Sequence, residues 1–376
     1  MIGVFLLLGS LAVAQRAPLA SVPASRLAHL RRGVNLSGWF AQVYDPNGYR
    51  KEHFQTWETS ADIALIKSAG FDHVRLSVDP RPLMEALDRQ NMEKQDPGAE
   101  YFEYLDAAVK MILDAGLAVE IDMHPESAFK ARLNDDDFVE HFADFWRAVA
   151  KRYSASDPDR VFFEILNEPE MRDGYRWYGV EAKLAAAIRQ AAPANTILAT
   201  GARWGDDDDL IFSEPLRDPN VIYVFHFYEP HIFTHQGATW STYYWSKLKG
   251  LHYPSSPENA AQVAATLPDA VDRLYVTRYA LDHWDAARID AEIAQATAWA
   301  RQNGVPLVCN EFGAYRDGVE PQDRAAWLTD VRTSLERHNI GWAMWDYSGN
   351  FGVATKEGGK AVLDETTIKA LGLSIR

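Results

Sequence analysis

Eight short runs of β-branched and other apolar residues recur along this chain, and helical patterns lie between most of them. The runs fall at 33–36, 73–78, 118–123, 161–166, 196–200, 221–227, 306–310 and 341–345. Strands that are apolar on both faces suit a parallel sheet whose outside is covered by helices. Helical spacing fills 61–69, 101–115, 137–153, 179–191, 288–302 and 321–337. The first two patterns stop at Gly70 and Gly116, where a helix C-cap wants positive φ, and Asn303-Gly304 stops the fifth. Strands alternating with helices in this number predict an α/β fold, a (β/α)8 TIM barrel in one domain. A doubly wound open sheet is the competing architecture, but it calls for a glycine-rich phosphate loop after an early strand, and none is present.

The segment between the sixth and seventh strands, 228–285, is far longer than an ordinary βα connection. It opens with His231, Phe233, His235, Trp240, Tyr243, Tyr244 and Trp245 and closes in a helical pattern over 260–281. On the catalytic end of a barrel such a stretch is expected to be a substrate-binding insertion.

Ahead of the first strand, residues 2–14 form an apolar run ending in Ala12-Val13-Ala14, the small-x-small pattern of a signal-peptidase site. The run is too short for a membrane span, which takes about 20 residues. The expected organisation is a signal peptide at 1–14, an N-terminal connector at 15–31 and a catalytic barrel at 32–376, with the mature chain secreted to the extracellular space or periplasm. Cys309 is the single cysteine, which excludes an internal disulfide and any CxxC metal site. With 53 acidic against 38 basic residues the net charge is −15, and no basic stripe interrupts it. Nucleic acid and anionic membrane surfaces are therefore poor partners, whereas a neutral polysaccharide or oligosaccharide is not repelled. The chain is expected to act as a monomer.

Catalytic groups of a barrel collect at the C-terminal ends of its strands. Glu168, in Asn167-Glu168-Pro169, stands where the fourth run stops, and Glu311, in Asn310-Glu311-Phe312-Gly313, stands at the end of the seventh. One glutamate after a strand is commonly a cap or a surface residue. Two on the same rim match the carboxyl pair that cleaves a glycosidic bond, one protonating the leaving oxygen and the other facing the oxocarbenium-like centre. On strand alternation Glu164 shares the face of Glu168 deeper in the barrel, and is expected to be a structural acid.

These motifs resemble the signatures of glycoside hydrolase family five, within the barrel clan of retaining β-glycosidases, from Arg32-Gly33-Val34-Asn35 to Trp345. The resemblance implies Glu168 as acid/base and Glu311 as nucleophile, with retention of configuration. It implies that Arg75 steadies the nucleophile, that His124 lines the glycone side, and that Asn167 holds a sugar hydroxyl. His226 and Tyr228 match the sixth-strand pair, and Trp345 matches an aromatic platform beneath the sugar. Pro125 and Asn310 depart from the family pattern, in ways that bear on loop shape and substrate preference. Trp39 and Trp204 are expected to be further stacking platforms, with Trp240 and Trp245 as candidates in the insertion.

Asp122, His124 and His226 offer metal-ligand atoms, but no His-x-His pair accompanies them, so no metal and no other cofactor is expected. The acidic run 206–209 lacks the spaced ligands and turn glycine of a calcium loop. The expected activity is endo-acting hydrolysis of β-1,4-glucan, cellulose-type or mixed-linkage, by double displacement. A β-mannanase, a xyloglucanase and a β-1,3-glucan hydrolase are the alternatives within the family. A glycan-remodelling transglycosylase and a non-catalytic sugar-binding barrel are the alternatives outside that activity.

Overall fold

A computed structural model describes residues 21–44, 48–90, 99–240 and 244–375. The expected signal peptide, the first part of the connector, Tyr243 and the side chains of Tyr244 and Trp245 lie outside the described residues.

Eight parallel strands close in sequence order: β1 (Arg32–Phe40), β2 (His73–Val78), β3 (Ala118–Met123), β4 (Val161–Glu164), β5 (Thr196–Thr200), β6 (Val221–Phe227), β7 (Leu307–Phe312) and β8 (Gly341–Met344). The architecture is the expected TIM barrel, and four of the strands have the expected ends. The others differ in ways that matter for the site. β1 runs on to Phe40, β4 stops early at Glu164, and β7 continues through Glu311 to Phe312. β8 returns to β1, closing the ring, and Gly341 makes that closure possible: a Cβ there would lie 1.7 Å from the Leu30 carbonyl oxygen.

Leu30, Phe162, Leu198, Ile222 and Val308 fill the floor of the barrel with apolar side chains. The segment expected as a connector contributes to this floor. It carries the helix Ala24–Ala28, whose Arg26 reaches Asp159 at 3.0 Å and Thr196 at 2.8 Å. On the outside, helices such as Ser60–Ser68, with a Thr59/Asp62 capping box, and Asp136–Tyr153, capped by Asp135, cover the sheet. The helical pattern over 260–281 is two helices, Pro257–Thr266 and Ala270–Leu281. Pro268 cannot continue the first, and Asp269 caps the second through the Val271 amide. Between β5 and β6 the only helix is the four-residue Asp207–Leu210. After β8 the chain forms an unexpected hairpin, β9 (Ala354–Glu357) and β10 (Lys360–Leu363), turning at Gly358 and Gly359 with φ of 57° and 78°. Among the described residues no helix is long and apolar enough to cross a membrane.

The helix Gly174–Ala191 turns Glu181 inward, where its carboxylate accepts a hydrogen bond from the Thr200 amide at 2.8 Å. Burial pushes this carboxyl up to about 8 from the ordinary 4.5. The folded protein therefore holds a proton that the unfolded chain releases across that window, and stability falls as pH rises through it. Glu181→Gln imitates the protonated acid and keeps an acceptor for Thr200. Thermal unfolding is expected to show the variant matching the parent near pH 5 and exceeding it near pH 8, by up to a few kcal/mol. An equal midpoint at both pH values would contradict this.

Candidate active site

The site is built around Arg75, a β2 residue pointing into the barrel with its side chain fully buried. A buried guanidinium must have its donors met, and here they are. Nε and Nη2 donate to the two oxygens of Glu164 at 2.6 and 2.8 Å. Nη2 also donates to Asn167 Oδ1 at 2.9 Å and lies 3.1 Å from Asp122 Oδ2. Nη1 donates to Asn35 Oδ1 at 2.9 Å and, through a short contact, to Glu311 Oε1. β1, β3, β4 and β7 are thus tied to β2 by one side chain. Burial raises Asp122 to about 6 against the pull of Arg75, and raises Glu164 against the same cation.

Asn310, expected as a departure affecting loop shape, instead points inward and is fully buried. Cys309 pairs with Phe225 and Glu311 with His226, so Asn310 is an extra residue in the β6–β7 ladder. That irregularity lets Asn310 donate to Glu164 Oε2 at 2.9 Å while its neighbour Glu311 also faces the barrel interior. Glu311 is nearly enclosed, with its side chain 4% exposed. Tyr228 donates to its Oε2 at 3.0 Å, and burial beside that carboxylate drives the Tyr228 hydroxyl well above its usual range, so it stays a donor.

Glu168 is set differently. β4 ends at Glu164, so strand alternation does not carry to the next glutamate. Glu168 instead adopts φ of 45°, an uncommon conformation for a residue with a Cβ. Its side chain is 28% exposed, and Oε1 lies 3.0 Å from His226 Nδ1, which is itself 3.4 Å from Glu311 Oε2. Burial pulls His226 down to about 4 despite Glu311, so the imidazole between the two carboxyls is neutral above that pH. Oxygens of Glu168 and Glu311 and a ring nitrogen of His226 all lie within 4.8 Å of one another. Those three form the one group of clustered metal-capable side chains among the described residues, and neither Asp122 nor His124 joins it.

His124 completes the floor. Its Nδ1 donates to Asp122 Oδ2 at 2.8 Å, and Nε2 accepts from Asn167 Nδ2 at 3.2 Å. Burial lowers His124 to about 3, which leaves it neutral and consistent with that pattern. The amide of Asn167 is therefore oriented at both ends, by Arg75 and by His124. Trp345 stacks on His124 with ring centroids 5.6 Å apart and planes 15° from parallel.

His124, Asn167, Glu168, Tyr228, Glu311 and Trp345 line one cleft of about 730 Å³. Arg75 and His226 stand behind its wall. A larger groove, about 1610 Å³, runs along the outside of helix Gly174–Ala191 where no long helix follows β5, and it contains neither glutamate. The insertion contributes Tyr228, His231, His235 and Trp240 to the cleft, whereas Phe233 is buried against Tyr253 and Tyr279.

Two expected platforms are not in this cleft. Trp39 is 2% exposed and its indole donates to the Phe54 carbonyl at 2.8 Å, because β1 extends past it and turns it into the core. Trp204 is exposed after β5 but does not line the cleft. The cleft does include Trp57, His53, Asp346 and Phe351, none of which the sequence singled out. His53 lies on, and Trp57 just after, a short helix between the first two strands that carries no strong periodic signal. Asp346 stands two residues past β8, next to Trp345, and the search for acidic residues at strand ends passed over it.

Arg75→Met is expected to strand Asp122, Glu164 and Glu311 as buried acids without a cation. Denaturant titration should read a loss of roughly 3–5 kcal/mol, as for one partner removed from a buried ion pair. A variant as stable as the parent would show that Arg75 does not hold the site together.

The chain matches the cellulase family, glycosyl hydrolase family 5, over residues 35–351. It is 28% identical over 328 residues to Endoglucanase C of Acetivibrio thermocellus, covering 85% of this chain and 92% of that protein. It is 29% identical over 364 residues to Endoglucanase 3 of Fibrobacter succinogenes, covering 92% of this chain; it spans 53% of that longer relative. The solved endoglucanase Cel5A of Thermotoga maritima is 26% identical and superposes with a TM-score of 0.70, over 92% of this chain and 98% of that one. With a family match across most of its length and a barrel of the same architecture, the chain belongs to the cellulase family, glycosyl hydrolase family 5.

Proposed function

We propose that this protein is an endo-acting retaining β-1,4-glucanase in which Glu168 is the acid/base and Glu311 the nucleophile. The observation that carries this reading is the approach of the two carboxyls to within 4.8 Å in one cleft. Retaining enzymes hold the pair about 5–5.5 Å apart, whereas inverting enzymes leave roughly 6.5–9.5 Å for a water. Their surroundings also differ in the sense the reaction needs. Glu311 is nearly enclosed and accepts hydrogen bonds from Arg75 and Tyr228. Glu168 faces the open side of the cleft, next to a neutral imidazole.

In the first step Glu311 attacks the anomeric carbon while Glu168 gives its proton to the glycosidic oxygen. The bond to that oxygen breaks, the shortened chain leaves as an alcohol, and the glycone stays esterified to Glu311. Glu168, now a carboxylate, takes a proton from water as the water oxygen attacks the same carbon and displaces Glu311. Arg75 and Tyr228 hold the attacking carboxylate before the first step and receive it again after the second. Trp345 offers a flat apolar face to the pyranose, and the oriented Asn167 amide lies beside it on the cleft wall.

The glucan substrate and endo action are supported by relatives named as endoglucanases. Thermotoga maritima Cel5A has been solved with cellobiose. A polymer of that kind is met outside the cell, which fits export by the apolar leader at 2–14. Release of reducing ends from carboxymethylcellulose, barley glucan, glucomannan and xyloglucan is expected to be greatest on the first two. Dominant turnover of mannan would overturn the substrate and leave the chemistry.

Glu311→Ala is expected to lose turnover and to be rescued by azide, giving a glycosyl azide of inverted configuration. Glu168→Ala should lose roughly 10²–10⁴-fold on substrates with poor leaving groups. Its azide product should keep the original configuration. Both variants near full activity would refute the assignment.

A further inference from the structure

One layer below Arg75 the barrel holds a second pair of titratable groups that the reaction does not use. His73 opens β2, and Glu120 stands on β3 two residues past Ala118, the register partner of His73. By strand alternation they share the inward face with Arg75 and Asp122, and both are fully buried. The imidazole fits there because β1 has a glycine beside it: a Cβ on Gly33 would run into the His73 ring.

The two ring nitrogens face two different carboxyls. Nδ1 lies 2.6 Å from Asp72 Oδ1, and Nε2 lies 3.3 Å from Glu120 Oε1. Asp72 keeps contact with water and also accepts from the Arg32 amide. Glu120 is shut off from water, and neither of its oxygens has a hydrogen-bond partner elsewhere among the described residues. A neutral imidazole carries a single N–H. If Nδ1 donates it to Asp72, Nε2 is a lone pair, and its approach to Glu120 is favourable only when Glu120 has a proton to give. If both nitrogens are protonated, Glu120 is a carboxylate beside an imidazolium. In either arrangement the pair holds one proton and no net charge. Without that proton, a bare carboxylate would face a lone pair in a dry interior.

The other charged groups that face the pair are Glu164 and Arg75, with the Asn310 amide beside them. Arg75 already serves three acids, so a fourth carboxylate without its own cation would compete with Glu311 for the guanidinium. Burial raises Glu120 to about 7 against the pull of His73. Burial by itself would lower His73, but the Asp72 hydrogen bond and the charges of Asp72 and Glu120 raise it. We propose that His73 and Glu120 share one proton beneath the Arg75 network and act as positioning residues for it. With the proton in place Arg75 stays committed to Glu311; its loss at alkaline pH loosens the nucleophile. The link to Glu311 rests on the glucanase reading given above, whereas the shared proton does not.

The test follows the parent, Glu120→Gln, His73→Asn, their combination and Glu181→Gln from about pH 6 to about pH 9. Glutamine at 120 keeps the shape of the acid and cannot ionise; asparagine at 73 keeps a donor for Asp72 and removes Nε2. The folded pair retains a proton that an unfolded histidine and glutamate have released by about pH 7.5, so its contribution is lost as pH rises through the pair's own titration. The unfolding midpoint of Glu120→Gln should therefore gain on the parent by roughly 2 °C per pH unit. His73→Asn should cost more stability alone than when combined with Glu120→Gln. Activity is read well below every midpoint, as kcat/KM on dinitrophenyl β-cellobioside, whose leaving group needs no proton from Glu168. The parent is expected to fall severalfold toward alkaline pH and Glu120→Gln to hold its activity. Glu181→Gln, outside the cleft, should gain stability and follow the parent in activity. Midpoints of the parent and Glu120→Gln that run parallel with pH overturn the shared proton. Diverging midpoints with identical activity profiles overturn the positioning role. A parent inactive on this substrate at every pH overturns the glucanase reading, and the midpoints then decide on the proton alone.

Discussion

One buried cation organises this barrel. Arg75 lies out of water among Asp122, Glu164 and Glu311, and such a charge persists only where each of its donors finds an acceptor. Meeting that demand recruits side chains from strands that are remote in sequence. Asn35 accepts from Nη1 and donates to the Asn310 and Met344 carbonyls, at 2.9 and 3.2 Å, linking β1 to β7 and β8. Asn167 accepts from Nη2, and Asn310 donates to Glu164 Oε2, the oxygen that also accepts from Nε. Three asparagines therefore complete a network in which one positive charge serves three acids. A lysine in place of the arginine would supply the charge without the planar fork that reaches both oxygens of Glu164.

The network also makes the two glutamates of the cleft unequal. Glu311 is bound into it through Arg75 and Tyr228 and is nearly shut off from water. Glu168 hangs outside it on a left-handed backbone, touching it only through a histidine that burial keeps neutral. The chemistry of a double displacement needs one carboxyl that stays ionised and one that gives up and regains a proton. Here the two carboxyls, alike as residues, differ in their partners: Glu311 accepts from the guanidinium and the Tyr228 hydroxyl, and Glu168 meets His226.

Much of this was legible in the sequence, because it follows from periodicity and from strand ends. The barrel was readable since eight largely apolar runs alternate with helical patterns. Glu168 and Glu311 were readable since each closely follows an apolar run in the sequence. What the sequence hid was geometry that breaks the period. Strand alternation puts Glu168 above Glu164, but β4 ends first and a positive φ re-aims the later residue. The ladder irregularity at Asn310 turns it from a loop determinant into an interior hydrogen-bond donor. Trp39 reads as a rim residue only if β1 stops at Leu36; the strand runs four residues further and the indole goes to the core. Trp57 and the β9–β10 hairpin meet across 299 residues of sequence, and no local pattern announces such a contact.

In the proposed reaction both carboxyls act in turn on the same anomeric carbon, with a covalent sugar ester between the two steps. Proton NMR of a soluble cello-oligosaccharide during hydrolysis, read before mutarotation scrambles the products, reports this directly. The β-anomer of the newly formed reducing end is expected to appear first and the α-anomer only later, as mutarotation proceeds. First appearance of the α-anomer would mean a single displacement by water, and would contradict the roles given to Glu168 and Glu311.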